Sequence, residues 1–520
     1  MNLFAALQAA WPAHRDDAAI VTDDGLTYTW RDLDRGTAML ANLLGSLHLQ
    51  GVDDRPPVVA AHVDKSVEAL MLYLAALRAG CVYLPLNPAY RASELEHFIT
   101  DAQPSVLVCR PEDQEWVIPL AAHGGVEHLF TLGQARTGSL LGHAALHSDV
   151  HDTVARRGSD LAAILYTSGT TGRSKGAMLT HGNLWSNART LLQHWDWRQD
   201  DCLIHALPIF HIHGLFVAVH CSLLAGTPMR WLQRFDAAQV LAQMQAEAGP
   251  PATVFMGVPT MYVRLLAEGG LTPEAAARMR LFISGSAPLL PATGEAFAQR
   301  TGHTILERYG MSETGMLCSN PCRPAEGDRR IGSVGRALPG VGVRVVNESG
   351  AVLPAEQAGQ VEVSGPNVFV GYLGLPDKTA ESFTDDGWFR TGDVGRLDAD
   401  GYLHLVGRAK DLIISGGFNV YPAEVEGLID RLPDVQESAV VGAPHPDFGE
   451  GVVAVVVTHS GQTLDEHGAI AQLKATLAGY KVPKRILTVA ELPRNAMGKV
   501  QKNLLRAQFG GLFQTEQEAA

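Results

Sequence analysis

The feature of this sequence that most restricts its possible folds is a short apolar run that ends in a loop of glycines and hydroxyl residues. Residues 161–165 read L-A-A-I-L, which predicts a buried strand, and residues 166–176 read Y-T-S-G-T-T-G-R-S-K-G. The glycines allow a tight backbone with inward N–H groups, and the hydroxyl groups and one lysine add donors. These properties predict a polyphosphate site. Its candidate residues are Thr167, Ser168, Gly169, Thr170, Thr171, Gly172 and Lys175.

Two other interpretations of this loop are weaker. A Walker A loop needs the spacing G-x-x-x-x-G-K-[ST], but here Lys175 is followed by Gly176. A flexible Ser/Thr/Gly linker needs neither a preceding buried strand nor a lysine among its hydroxyl residues. The ordinary P-loop nucleotide hydrolases are therefore excluded, and a phosphate loop of another class is favoured.

The order of the predicted elements indicates an α/β protein. From Ala18 onward strand-like and helix-like segments alternate, which favours largely parallel, helix-covered sheets. From about 340 to 407 the segments are short, β-rich and interrupted by glycine and proline, which is typical of a separate β subdomain. We therefore predict a large N-terminal domain of helix-covered sheets plus that β subdomain (1–407), a charged junction, and a smaller α+β C-terminal domain (412–520).

Charge and cysteine content limit the partners and the compartment. The chain of 520 residues carries 41 Lys and Arg against 55 Asp and Glu, a net charge of -14, which argues against nucleic acid or an anionic membrane as partner. The six cysteines are scattered, so we expect a reduced compartment and no metal cluster. No run of 18 apolar residues and no export or transit pattern occurs. We therefore expect a cytoplasmic enzyme.

Further polar loops follow strand-like runs in the rest of the chain. Each has an ordinary alternative, which is a solvated turn, a surface ion pair or an exposed lysine. In chain order they are P-I-F-H-I-H-G (208–214), G-S-A-P (285–288), E-R-Y-G-M-S-E-T (307–314), W-F-R-T-G-D (388–393), G-R-A-K-D (407–411), S-G-G-F-N (415–419) and P-R-N-A-M-G-K-V (493–500). The two histidines of the first loop, His211 and His213, predict the wall of a pocket.

The phosphate loop and at least five of these motifs resemble the adenylate-forming superfamily, which contains acyl-CoA synthetases, peptide-synthetase adenylation domains and firefly-type luciferases. The resemblance covers essentially the whole chain in the right order. It implies ATP, Mg²⁺ and coenzyme A as substrates and metal. One departure from the usual Y-G-x-T-E motif is Ser312, where threonine is usual, although the hydroxyl group is retained.

The resemblance also implies roles for individual residues. Lys499 and Glu313 would be catalytic, and Glu313 would hold the Mg²⁺ that accompanies ATP. Lys410 would be the hinge, within 408–411, about which a mobile C-terminal domain turns. The other implied binding residues are Gly285, Ser286, Ala287 and Pro288 at the adenine, Glu307, Arg308, Tyr309 and Ser312 in the Y-G-x-T-E region, Asp393 at the ribose, Arg408 at ribose and phosphate, and Gly416 and Gly417 at the pantetheine tunnel.

Within the superfamily, residues 257–262, 280–289 and 307–311 most resemble malonyl-CoA synthetases. Such an enzyme would join malonate, and also methylmalonate, to coenzyme A in two steps through an acyl-adenylate. We expect a monomer or a weak homodimer. Two alternatives stay open: a ligase for another short-chain, medium-chain or aryl carboxylate, and a stand-alone adenylation domain that loads a carrier.

A malonate site needs a fixed cation, because the carboxylate that does not react would be costly to bury unpaired. Arg280 stands just before the strand that leads into the adenine-side loop, and its planar guanidinium could bind a carboxylate through two hydrogen bonds. His211 and His213 could supply further donors, and Met311 is another candidate substrate contact. We therefore predict Arg280 as the main residue for the second carboxylate of malonate.

Overall fold

The structure is a computed structural model that describes residues 1–167, 174–416, 418–459, 462–495 and 498–513. Its strands are β1 (Ala18–Thr22), β2 (Thr27–Thr29), β3 (Val58–His62), β4 (Val82–Pro85), β5 (Val106–Cys109), β6 (His128–Thr131), β7 (Leu161–Thr167), β8 (Lys175–Thr180), β9 (Leu203–His205), β10 (Met229–Trp231), β11 (Val254–Gly257), β12 (Leu281–Ser284), β13 (Leu306–Met311), β14 (Gly315–Ser319), β15 (Arg336–Ala337), β16 (Gly342–Val346), β17 (Gly359–Ser364), β18 (Gly371–Tyr372), β19 (Phe389–Leu397), β20 (Leu403–Arg408), β21 (Ile413–Ser415), β22 (Phe418–Val420), β23 (Val435–His445), β24 (Gly449–Thr458) and β25 (Arg485–Thr488).

Helices cover these strands. The α-helices are α1 (Leu3–Ala9), α2 (Trp30–Ser46), α3 (Val67–Arg78), α4 (Ala92–Ala102), α5 (Gln114–His123), α6 (Ser139–Ala144), α7 (His181–His194), α8 (His220–Ala225), α9 (Ala237–Gln245), α10 (Pro259–Ala267), α11 (Pro291–Thr301), α12 (Pro376–Ser382), α13 (Pro422–Ile429), α14 (Glu466–Lys474) and α15 (Lys502–Phe509). Short 3₁₀ turns lie at Pro111–Asp113, Pro324–Glu326 and Ala409–Asp411, and a π-helix lies at His213–Val219.

Two large sheets form the N-terminal part of the chain. The first sheet has the order β15-β14-β13-β12-β11-β9-β10-β1-β2, and its strands from β13 to β1 are parallel. The second sheet has the order β18-β8-β7-β4-β3-β5-β6, and it is parallel from β7 to β6. Parallel strands direct their carboxyl ends to one edge, where ligands of open α/β sheets bind.

The core explains why helix α3 lies where it does. Every residue from Val67 to Arg78 is buried, and the helix is apolar on nearly all sides, as expected for a helix packed within a core. It belongs to the largest hydrophobic cluster, which contains residues of both large sheets. Helix α2 begins at Trp30, because Thr29 and Asp32 form a reciprocal capping box at its amino end.

Two smaller sheets complete the fold. One is antiparallel, with the order β16-β17-β19-β20, and it spans the region predicted as a β subdomain. The other, β22-β21-β24-β23 with β25 beside β24, packs with α13 and α14 around its own hydrophobic cluster. The predicted fold class, a mixed α/β chain with a large N-terminal and a smaller C-terminal part, is confirmed. The domain boundaries and the mobility of the C-terminal part remain predictions.

Within the described ranges, no helix has both the length and the apolar character that are needed to cross a bilayer. The same residues contain no group of three or more His, Cys, Asp and Glu side chains that could hold a metal ion.

Candidate active site

The candidate site lies at the carboxyl ends of strands in the first sheet. Strand β12 ends at Ser284, so the predicted adenine-side residues Gly285, Ser286, Ala287 and Pro288 follow it directly. Strand β13 lies beside β12, with Ser284 opposite Glu307, and continues past it to Met311. Ser312 comes next and begins the turn to β14. The two loops predicted to hold the nucleotide are therefore neighbours at one edge of the sheet.

The predicted adenine and ribose residues meet at a buried pair. The hydroxyl group of Tyr309 donates a short hydrogen bond to Asp393, and Arg408 Nε lies 2.7 Å from the other carboxylate oxygen of Asp393. Burial, the charge of Asp393 and this hydrogen bond raise the pKa of Tyr309 well above its usual range. Asp393 and Arg408 are partners across β19 and β20. The β subdomain thus delivers both residues to the end of β13.

The predicted metal ligand Glu313 is held by two hydroxyl groups. Thr167 Oγ1 and the hydroxyl of Tyr372 both donate to its Oε1 oxygen, over 3.3 and 3.0 Å. The Lys175 ammonium lies 3.9 Å from the centre of the Tyr372 ring. Thr167 and Lys175 are register partners where β7 and β8 meet the phosphate loop. The predicted residues Ser168, Gly169, Thr170, Thr171 and Gly172 lie outside the described residues.

Arg308 is the most unusual group at this edge. Its side chain is buried, and its Nε and Nη2 atoms have no hydrogen-bond partner among the described residues. A Cβ atom on Gly285 would lie 2.4 Å from the guanidinium carbon, so a side chain there would displace the guanidinium. Burial lowers the pKa of Arg308 to about 9, at which the group is still protonated at pH 7. A buried cation without a partner is costly unless a ligand supplies one.

Two neutral histidines surround this guanidinium. Burial, and then the charge of Arg308, lowers the pKa of His211 to about 4 and that of His213 well below its usual range. His213 Nδ1 lies 3.2 Å from the hydroxyl group of Ser286, a residue held at a positive φ of 71°. His213 Nε2 has no partner in the described part of the chain. The predicted pocket wall therefore faces the adenine-side loop.

The structure corrects the prediction for Arg280. This residue lies at the amino end of β12, so a strand of four residues separates it from the loop at Gly285. Its Nε and Nη2 atoms bind the two carboxylate oxygens of Asp201 over 3.0 and 2.6 Å. Burial alone would lower the pKa of Arg280, but the hydrogen bonds and charge of Asp201 outweigh it and raise the pKa. Arg280 is a paired residue of the opposite edge and does not reach the site.

Glu307 is held by a hydrogen bond from a neighbouring loop. Its Oε1 atom accepts a hydrogen bond from the Gly332 N–H group over 2.9 Å, and burial raises its pKa to about 8. Arg308 and Tyr309 follow on alternate sides of the same strand. Alternation along β13 therefore places Arg308 on the face opposite to that of Glu307 and Tyr309, although the motif groups all three.

Lys499 comes to the site from the C-terminal part. Its loop is closed by a bridge between Arg494 and Val500, and the Lys499 N–H group donates to Asn495 Oδ1 over 3.0 Å. Gly498 packs against Thr260, where a Cβ atom would approach the threonine hydroxyl to 2.9 Å. The Lys499 side chain is open to the solvent of the cleft. Surrounding protein atoms and then the charge of Arg408 lower its pKa to about 8, while Asp393 opposes that shift.

The remaining predicted residues lie at the junction of the two parts. Lys410 is on the 3₁₀ turn Ala409–Asp411, and burial lowers its pKa. Asp411 on the same turn pairs with Arg506 of α15 over 2.5 Å. Gly416 adopts a positive φ of 61° between β21 and β22, and its N–H group donates to the Phe448 carbonyl. Gly417 lies outside the described residues.

Tyr372 is the residue that sequence reasoning missed. It stands 59 residues from Glu313 in the chain, on a strand of two residues outside the motifs described above. Its position beside Glu313 depends on the pairing of β18 with β8.

Comparison with known proteins agrees with this geometry. Residues 7–373 match the family model of the AMP-binding enzyme, and residues 424–499 match that of the AMP-binding enzyme C-terminal domain. A feruloyl-CoA synthase of Amycolatopsis sp is 37% identical over 512 residues, covering 96% of this chain and 99% of that protein. A mitochondrial malonate–CoA ligase of Bos taurus is 34% identical over 537 residues, covering 96% and 89% of the two chains.

A solved structure is more similar still. The crystal structure of ATP-bound MatB from Rhodopseudomonas palustris is 51% identical, covers 99% of both chains and superposes with a TM-score of 0.94. The apo structure of the same protein covers the same share but superposes with a TM-score of 0.83. This chain therefore superposes better on the ATP-bound structure than on the apo structure.

Proposed function

Since the chain belongs to the AMP-binding enzyme family, we propose that it is a malonate–CoA ligase that forms malonyl-CoA, AMP and pyrophosphate from malonate, ATP and coenzyme A. The proposal is supported by relatives that carry this activity in their names, among them the Bos taurus enzyme. An ATP-dependent reaction is supported by the contacts of Asp393 with Tyr309 and Arg408, and by the hydrogen bond from Thr167 to Glu313.

The observation that carries the choice of malonate is the unpaired guanidinium of Arg308. Malonate brings a second carboxylate that does not react, and such a group is bound most strongly by a planar guanidinium through two hydrogen bonds. The Arg308 Nε and Nη2 donors, which have no partner within the described ranges, lie beside the adenine-side loop, where an acyl group would lie. His213 Nε2 offers one further polar atom, and Met311 is a candidate contact for the methylene group or for the methyl group of methylmalonate.

In the first half-reaction, an oxygen of the reacting carboxylate attacks the α-phosphorus of ATP. A new O–P bond forms while the bond to the bridging oxygen of pyrophosphate breaks. Both reactants are anions, so a cation placed between them lowers the barrier. Lys499 is the proposed group, because it reaches the cleft beside Arg408 and Asp393. Tyr309 and Asp393 would fix the adenine and the ribose.

Glu313 fits the role of ligand for the Mg²⁺ that accompanies ATP. Its Oε1 oxygen accepts hydrogen bonds from the hydroxyl groups of Thr167 and Tyr372. Its Oε2 oxygen has no hydrogen-bond partner among the described residues. Proteins usually bind this ion through one or two carboxylates together with substrate phosphates. When bound, Mg²⁺ would neutralise charge on the phosphates.

In the second half-reaction, the sulfur of coenzyme A attacks the acyl carbon, the thiol proton is lost to solvent, and the bond between that carbon and the AMP oxygen breaks. We propose that the C-terminal part, 412–520, turns about Lys410 for this step and brings Gly416 and Gly417 to the pantetheine. This division into domains at 408–411 is supported by the separate hydrophobic cluster of the C-terminal sheet. We also propose a cytoplasmic monomer or weak homodimer, since a net charge of -14 disfavours extensive self-association.

A panel of acids tests the proposal. AMP release would be measured with ATP, Mg²⁺ and coenzyme A in the presence of malonate, methylmalonate, propionate or ferulate. We expect malonate to give the highest kcat/KM, with methylmalonate next, because only these acids pair with Arg308. Ferulate represents the feruloyl-CoA synthases similar to this chain. A preference for ferulate or propionate over malonate would contradict the proposal.

A further inference from the structure

Tyr372 connects two charged residues of the phosphate site that are far apart in sequence. Its side chain is buried, and its hydroxyl group donates to Glu313 Oε1 over 3.0 Å. Its ring contacts Lys175, whose ammonium group lies over the ring, 3.9 Å from the ring centre. One tyrosine therefore contacts both the candidate metal ligand and the lysine of the phosphate loop.

We propose that Tyr372 is a positioning residue for MgATP, whose hydroxyl group orients the Glu313 carboxylate and whose ring places the Lys175 ammonium. This inference rests on the proposed function only in taking ATP as a substrate. The hydroxyl group and the ring of Tyr372 therefore have two separable roles.

The hydroxyl task follows from the hydrogen bonds at Glu313. Tyr372 and Thr167 both donate to the same oxygen, Oε1, which fixes the plane and rotation of the carboxylate. The other oxygen, Oε2, is left to accept a ligand. Hydrogen bonds to a charged group are stronger than neutral ones, and the bond from Tyr372 is the shorter of the two. Its loss would let the carboxylate rotate.

The ring task follows from the position of Lys175. A lysine ammonium has three rotatable donors on a flexible stem, so it needs a contact that limits its position before the phosphates arrive. The face of a tyrosine ring attracts a cation at this distance. The contact leaves the ammonium hydrogens available, because a ring occupies one side of the group only.

The backbone holds Tyr372 in this position. Strand β18 pairs with β8, with Tyr372 opposite Ala177, two residues after Lys175. The Tyr372 N–H group donates to Thr379 Oγ1 over 2.9 Å. The Phe369 N–H group donates to the Glu313 carbonyl over 2.8 Å, and the Phe369 ring packs edge-on against Tyr372. The segment around Tyr372 is thus hydrogen-bonded to the strand that begins at Lys175 and to the backbone of Glu313.

Two variants separate the tasks, and a third is a matched control. Tyr372→Phe removes the hydroxyl group and keeps the ring, whereas Tyr372→Leu removes both. Tyr28→Phe is the control, because Tyr28 also donates from its hydroxyl to a glutamate, Glu68, over 2.5 Å, but on β2 at the far end of the first sheet. Calorimetric titration would measure the Kd of ATP with Mg²⁺ and with a chelator, in the absence of malonate.

We expect Tyr372→Phe to weaken binding of MgATP by about tenfold and to change binding of metal-free ATP by less than about twofold. Tyr372→Leu should in addition weaken the binding of metal-free ATP by about two- to fivefold, because the Lys175 ammonium loses its contact with the aromatic ring. Tyr28→Phe should change neither constant.

The proposal is overturned if Tyr372→Phe binds MgATP like the wild type, or loses affinity equally with and without Mg²⁺. It is also overturned if Tyr372→Phe fails to fold, since the hydroxyl group would then be structural. A wild-type chain that bound no MgATP would instead refute the proposed function, so the two failures are distinguishable.

Discussion

Arg280 lies just before β12, whereas Arg308 lies within the neighbouring parallel strand β13, past the carboxyl end of β12. Arg280, before β12, binds both oxygens of the buried Asp201 carboxylate. Arg308, within β13, has two guanidinium nitrogens without a partner among the described residues. The pKa of Arg280 is raised despite burial, whereas burial lowers the pKa of Arg308 to about 9. Burial alone therefore does not distinguish the two arginines; what distinguishes Arg308 is that these two nitrogens lack a partner in the described part of the chain.

The same contrast extends to the rest of the carboxyl edge. Lys499 also stands there in surroundings that lower its pKa to about 8. When folding lowers the pKa of a basic group, its protonated form makes the folded protein less stable. Such groups concentrate at functional sites. The amino edge, where charges are paired, contributes to stability. At the carboxyl edge Asp393 and Arg408 are paired, whereas the Arg308 Nε and Nη2 atoms have no partner among the described residues and are available for an anion.

Removing Arg280 should have the largest effect on stability. Arg280→Ala leaves the Asp201 carboxylate, whose side chain is 2% exposed, buried without its cation. We expect the free energy of unfolding, measured in urea, to fall by about 3–5 kcal/mol. The KM for malonate should not change. Arg323→Ala is the control, because Arg323 pairs with Asp196 at the surface and its loss should cost at most about 1 kcal/mol. An Arg280→Ala variant with wild-type stability and a raised KM for malonate would contradict the structural role of Arg280.

Arg308→Met should act in the opposite direction. A folded-state pKa below the ordinary value means that folding disfavours the proton, so the penalty is complete below pH 9 and disappears as the pH rises toward the unfolded value. Replacing the cation by an apolar side chain should therefore raise the free energy of unfolding at pH 7, by about 1–4 kcal/mol. The measurement is the same urea titration. A clear loss of stability would show that Arg308 is a structural residue like Arg280.

The pH dependence of the first half-reaction tests Lys499. Its pKa of about 8 predicts that the ammonium is present below that pH and lost above it. Since the protonated form is the one that neutralises two anions, kcat/KM for malonate-dependent pyrophosphate exchange should fall about tenfold per pH unit above about pH 8. Lys499→Arg should move this decline to higher pH. A flat profile up to pH 10 in the wild type would exclude Lys499 as the titrating group.

Local motifs predicted the parts of the site that depend on short stretches of chain. Tyr309 and Glu313 lie on or beside one strand end, and their neighbourhood follows from the sequence directly. Arg280 was misplaced because adjacency to the adenine-side loop does not reveal which end of the strand a residue occupies. Its partner Asp201 stands 79 residues away. Tyr372 was missed for the same reason, since only the pairing of β18 with β8 brings it to Glu313.

The most direct test of the central claim is the specificity of the two arginine variants. kcat/KM would be measured for malonate and for propionate, which lacks the second carboxylate, in the wild type, Arg308→Met and Arg280→Ala. We expect Arg308→Met to lower kcat/KM for malonate by about a hundredfold or more, and kcat/KM for propionate much less. Arg280→Ala should keep the wild-type ratio. An equal loss for both acids in Arg308→Met, or a lost preference for malonate in Arg280→Ala, would contradict the assignment of Arg308 to the second carboxylate.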